Sequence, residues 1–180
     1  MLVFVLTNRL LHYIMYTSDI QKTIRRELDM IIAFCGHATY IPSKEDEKRV
    51  LAIMEACIGN AECEMLLGEY GGFDAFAYCC AKKYKQAHPK SRMVFVTPYL
   101  SDGYRKNSIE HTKDRFDQVV YPPLEKVPLR YAIVRRNKWM IDQADVIIAY
   151  ITHTYGGAYT MYRYAMKKEK EVYNIAPQEE

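Results

Sequence analysis

From residue 30 onwards the chain alternates between short, largely apolar runs and longer segments of helical period. The runs span residues 31–35, 63–67, 93–97, 145–151 and 172–175. A stretch such as Val146-Ile147-Ile148-Ala149 lacks the apolar-polar alternation of a strand with one wet face. It therefore belongs to a strand covered on both sides. Strands of that kind, separated by helices, build a mostly parallel sheet between two helical layers. The expected class is α/β, a Rossmann-like three-layer sandwich.

The segments between the runs have recognisable starts and faces. Pro42-Ser43 followed by Asp46 reads as a capped helix start, with Val50, Ile53, Met54, Cys57 and Ile58 on its apolar face and an end near Gly59-Asn60. After Gly68-Glu69-Tyr70-Gly71-Gly72, the residues Phe73, Phe76, Ala77, Cys80, Ala81 and Tyr84 recur at helical spacing. Residues 131–143 and 157–168 read as two further helices. The polar stretch 100–128 carries Asp102-Gly103 and Pro122-Pro123. Loops of that length without internal structure are uncommon, so a short helix is expected inside it. Residues 1–29 read as an N-terminal extension outside the fold, with a short basic helix at 20–28 and Met30 as an alternative start. Residues 30–180 read as a single domain.

A chain of 180 residues can bury a core without disulfides or a structural metal. Its 49% apolar and 26% charged composition argues against disorder. The net charge of +3, with both signs interleaved, argues against a nucleic-acid partner. Five cysteines without a C-x-x-C pair read as reduced thiols of a cytoplasmic protein, with no metal. The apolar stretch before Tyr16 is broken at Asn8-Arg9. It is too short and too interrupted for a bilayer span, so no membrane association is expected.

In open parallel sheets, ligands collect beyond the carboxyl ends of the strands. Three of the expected strands end in notable turns: Gly36-His37, Gly68 to Gly72, and Thr152 to Gly157. Gly71-Gly72 and Gly156-Gly157 each open a helix, where unpaired N–H groups can face an anion. Neither is a Walker loop or a G-x-G-x-x-G, and a tight connection is the plainer reading of each alone. Arg136 and Asn137 fall where a helix could reach across the sheet end. Asp74 can favour the helix dipole or accept ribose hydroxyls. His37 and His153 can titrate near neutral pH or simply lie at the surface. Tyr155 is placed to stack on a base. The expected binding set is Gly36, His37, Gly68, Gly71, Gly72, Asp74, Arg136, Asn137, Thr152, Tyr155, Gly156, Gly157 and Thr160. No cofactor is expected.

In order and spacing, Gly36-His37, Gly71-Gly72-Phe73-Asp74, the segment from Pro128 through Arg135-Arg136-Asn137 to Met140, and Thr152 to Ala158 resemble the SLOG superfamily. This Rossmann-like group contains the lonely-guy phosphoribohydrolases and several nucleotide-ligand sensors. The resemblance covers residues 30–176 and is nearest to small bacterial members. It implies that Arg136 is a phosphate-binding arginine and that the protein is a homodimer. In the hydrolases the second turn reads P-G-G-x-G-T-x-x-E. Thr160 matches the threonine, but Tyr159 stands for the glycine and Arg163 for the glutamate. Cleaving an N-glycosidic bond builds positive charge on the sugar, which a carboxylate stabilises and an arginine opposes. The expected function is therefore binding or sensing of a nucleotide or nucleotide-derived small ligand, without catalysis. Two alternatives stand beside it: an N-glycosidic hydrolase or transferase in which Glu69 or Asp74 supplies the carboxylate, and an oligomeric platform built on the tyrosine-rich surface around Tyr162.

Overall fold

The structure is a computed structural model, and it describes residues 14–15, 30–59, 61–99 and 114–177. The elements follow in the order β1 (Ile14–Met15), β2 (Met30–Gly36), α1 (Lys44–Ile58), β3 (Cys63–Leu67), α2 (Gly72–Ala87), β4 (Arg92–Val96), β5 (Gln118–Val120), a 3-10 turn (Leu129–Tyr131), α3 (Ala132–Gln143), β6 (Val146–Tyr150), α4 (Gly156–Lys167) and β7 (Glu171–Asn174). The strands form one sheet in the order β1-β5-β4-β3-β2-β6-β7, and every pairing is parallel. The expected Rossmann-like three-layer architecture is what the chain adopts.

Side chains on successive strand residues point to opposite faces, and each face carries its own core. Ile32, Phe34, Met65, Leu67, Phe95 and Ile148 pack under α1 and α2 against Val50, Met54, Phe73, Phe76 and Tyr84. Ile31, Ala33, Leu66, Val94, Ile147 and Ala149 pack under α3 and α4 against Met140, Ile141, Met161 and Ala165. This double burial is why the strand sequences show no alternation. Local signals set the helix starts: Ser43 Oγ accepts the Asp46 N–H at 3.0 Å, as the Pro-Ser-x-x-Asp spacing predicts.

Two elements depart from expectation, β5 and the β1 edge within residues 1–29. The polar stretch taken for a loop contains β5, with Val94 opposite Gln118 and Val96 opposite Val120. Asp117 pins its entry, because its carboxylate accepts the Met93 N–H at 2.7 Å and its own N–H donates to the Met93 carbonyl at 2.9 Å. Three residues among charged neighbours are too few to register as a strand. The short helix expected in this stretch is not found at residues 114–128, and residues 100–113 lie outside the described part. So does the basic segment 20–28. Ile14 and Met15 pair with Val119 and Val120, adding a two-residue edge to the sheet.

Candidate functional site

Strands β2 to β5 progress toward one edge of the sheet, whereas β6 and β7 lie on the other side of β2. The strand order thus reverses between β2 and β6, which opens a crevice at their carboxyl ends. Gly36 pairs with Tyr150 as the last step of that ladder. The residues just beyond, His37 and Thr152 to Gly157, flank the crevice.

Three rings stack there. His37 lies on His153 with ring centroids 3.6 Å apart and planes at 22°. His153 lies on Tyr155 at 3.9 Å and 18°. The innermost ring, His37, is 6% exposed, while the outermost, Tyr155, is 70% exposed. The Thr152 N–H donates to His37 Nε2 at 3.2 Å, so His37 holds the turn through an acceptor nitrogen. That nitrogen has a free lone pair only in the neutral ring. Burial lowers the pKa of His37 below its ordinary value, and the neighbouring His153 adds to the shift.

The two glycine turns differ in openness. At Gly72 a Cβ would come within 2.3 Å of the Tyr40 carbonyl oxygen, and the Gly72 N–H is already taken by the Ala38 carbonyl at 2.7 Å. Gly71, at φ +116°, faces Ala38 at 2.6 Å. The first turn is therefore closed by the chain's own 38–40 segment. Gly36 is filled in the same way by the Phe73 ring, 2.2 Å from where its Cβ would stand. The second turn is open, since a Cβ at Gly156 or Gly157 would meet nothing within 4 Å. Of these two, only Gly156, at φ +84°, requires glycine for its backbone. Thr160 donates back to the Gly156 carbonyl at 2.9 Å, within the first turn of α4.

Beneath the first turn, Gly68 makes room for a charged pair. Its missing Cβ would stand 2.4 Å from Arg136 Nη1 and 2.6 Å from Asp74 Oδ2. Arg136 is only 1% exposed, with its guanidinium carbon 5.6 Å from the centre of the Tyr70 ring. Asp74 accepts the Tyr70 N–H at 2.7 Å. Burial raises the Asp74 pKa, against the pull of that hydrogen bond and of Arg136. Glu69 pairs with Arg115 at 2.5 Å, and its pKa is raised by burial, with Arg115 opposing. Asn137 is half-buried on α3 beside Arg136, and Arg163 is exposed on α4. Among the described residues, no group of His, Cys, Asp and Glu is placed to hold a metal ion, and no helix is long and apolar enough to cross a membrane.

Sequence spacing brought out neither Asn174 nor the distribution of exposed apolar side chains. Asn174, at the end of β7, accepts the Ile151 N–H at 2.9 Å and donates to the Ile151 carbonyl at 3.0 Å, latching the base of the second turn. Asparagine is depleted in strands, which is the one signal that could have drawn attention to it. The large exposed hydrophobic residues among those described are Ile41, Tyr70, Leu129, Tyr131, Val134, Tyr155 and Met166. All except Met166 lie in the loops after strands or in the helix starts those loops lead into. The carboxyl edge of the sheet is thus also the apolar and aromatic edge of the molecule.

Neither a protein-family model nor a curated protein matches the chain. Among solved structures it is similar to DNA processing protein A from Helicobacter pylori, in work on that protein's unique single-stranded DNA binding mode. The identity is 17% and the TM-score 0.56, over 91% of this chain and 70% of that one. It is also similar to DNA processing protein A from Streptococcus pneumoniae, at 18% identity and TM-score 0.56, over 83% of this chain and 51% of that one. The chain thus spans about half the length of the second.

These likenesses support the Rossmann-like fold and correct two expectations. Binding or sensing of a small nucleotide-derived ligand, with a glycosidic hydrolase or transferase as its alternative, gives way because the similar folds belong to DNA-processing proteins. The reading of nucleic acid as an unlikely partner falls with it. That reading rested on a net charge averaged over the whole chain, whereas a polyanion reads the local surface.

Proposed function

We propose that the protein binds single-stranded DNA along the carboxyl edge of its sheet, and that it is a member of the SLOG superfamily. One observation carries the binding reading: exposed aromatic and apolar side chains gather on that edge, with the Tyr155 ring presented at the crevice between β2 and β6. Unpaired bases stack on such rings whatever their sequence. The start of the last helix at Gly156-Gly157, with open space over both glycines, suits a backbone phosphate. Arg130 and Arg135 near the start of α3 and Arg163 on α4 are exposed and add positive charge. An arginine at position 163 opposes glycosidic cleavage, but it complements a phosphodiester chain. The single-stranded DNA binding mode of the Helicobacter pylori protein supports this reading. The family assignment is supported by the same fold and by the glycine turns and arginine helix meeting around one sheet edge.

Fluorescence anisotropy with a labelled oligothymidylate tests the function. The expected result is salt-sensitive binding that exceeds binding to a duplex of the same length. Tyr155→Ala should weaken it by roughly 1–3 kcal/mol, the worth of one base-aromatic stack. Absence of binding at low ionic strength would sink the proposal.

A further inference from the structure

We infer that His37 is a positioning residue for the base platform: backed onto His153 and accepting the Thr152 N–H, its neutral ring holds Tyr155 in place, so protonating it releases the platform and weakens DNA binding. The inference rests on the single-stranded DNA reading and adds a regulation of that site. Three geometric facts carry it. The His37 ring is the buried end of a continuous stack whose exposed end is Tyr155. Its Nε2 is the acceptor for the residue that begins the turn. The next ring, His153, has its Nδ1 buried with no hydrogen-bond partner among the described residues.

A proton on His37 Nε2 would set N–H against the Thr152 N–H and place a charge 3.6 Å from a second imidazole. The hydrogen bond would become a repulsion, and a charge on the inner ring would be poorly solvated. The surroundings offer little compensation. His153 lies on the His37 ring and Tyr155 on His153, and the titratable groups of the neighbouring elements are Tyr40 after β2, Cys35 in β2 and, around the first turn, Tyr70 and Asp74. The Tyr40 hydroxyl donates to Asp46. The Cys35 thiol donates to the Ala158 carbonyl at 3.3 Å and stays protonated, its pKa pushed up to about 12 by burial and by Asp74. Asp74 is engaged by the Tyr70 N–H. Of these groups, His153 is the one whose charge acts on His37, and it opposes protonation.

The sign follows. With the pKa of His37 lowered in the folded protein, its contribution to stability is fully present above the ordinary histidine value of about 6.5. It is lost as pH falls from there toward the folded value. DNA binding should fall further down, as pH passes through the folded value that lies below the ordinary one, opposite to an imidazolium that simply touches phosphate.

The test is oligothymidylate affinity between pH 7.5 and 4.5 at constant ionic strength, with far-UV circular dichroism recorded alongside. Wild type should lose affinity on acidification, by up to about tenfold per pH unit, the limit for one linked proton. His37→Leu should bind weakly throughout. His37→Gln, which can accept the Thr152 N–H without titrating, should regain part of that loss and show a flat profile. Wild-type affinity that is constant or rises toward acid, or a Gln variant that keeps the wild-type slope, overturns the inference and leaves the DNA reading intact. No binding by wild type at any pH overturns both.

Discussion

A methyl group added at Gly68 and one added at Gly157 probe two different uses of glycine. At Gly68 the added carbon meets Arg136 and Asp74 within 2.6 Å, so Gly68→Ala must displace the buried Arg136 guanidinium and the half-buried Asp74 carboxylate. A loss of about 1–3 kcal/mol in urea-denaturation stability is expected, the usual cost of overpacking. At Gly157 nothing lies within 4 Å and φ is not positive, so Gly157→Ala should leave stability unchanged or slightly raised. The same variant should weaken oligothymidylate binding if a strand backbone passes close to that turn, and unchanged affinity would place the strand elsewhere. In the sequence, Gly71-Gly72 and Gly156-Gly157 are indistinguishable dipeptides before helices. The difference arises from Ala38 and Tyr40, more than thirty residues upstream of the first pair, and no local spacing reports such a neighbour. The His37 stack was hidden for the same reason: its partner rings come from the far side of the chain.

Among the elements, the strands buried on both faces were legible because their runs are almost wholly apolar, with Glu64 of β3, paired to Arg92, the buried exception, and α1 was legible because Ser43 and Asp46 announce it. β5 was not, because its register is fixed by Asp117 at its entry and not by its own composition. β7 carries a further feature of this kind. Its Asn174 side chain replaces a peptide group, giving Ile151 both a donor and an acceptor just before the second turn. Asn174→Ala would leave both Ile151 groups without that partner. The expected cost is about 1–3 kcal/mol for a part-buried unsatisfied group, read as a lower thermal midpoint. Asn174→Asp should also fail to restore the latch, because a carboxylate accepts the N–H but cannot donate to the carbonyl.

At the scale of the whole molecule, a net charge of +3 says little about what one edge of the sheet can hold. The exposed rings and arginines of that edge could be assigned to one surface only once the topology had brought them together. For a single-stranded ligand the log of affinity should fall against log salt with a slope of roughly −0.7 for each phosphate engaged. Arg163→Glu, which restores the hydrolases' carboxylate at this position, should reduce both affinity and slope. An unaltered slope would remove Arg163 from the interface.

The seam between β2 and β6 governs more than the position of the crevice. Ile31 and Asp145, which exchange hydrogen bonds at its start, are 114 residues apart. Synthesis therefore delivers β2 to β5 while one flank of β2 is still bare, and closing so long a loop comes before its contacts are rewarded. Until residue 150 has left the ribosome, the nascent chain presents an unpaired, strongly apolar strand edge, the kind that recruits chaperones or other copies of itself. The strand pair that creates the candidate site thus also sets the earliest point at which the central sheet can close.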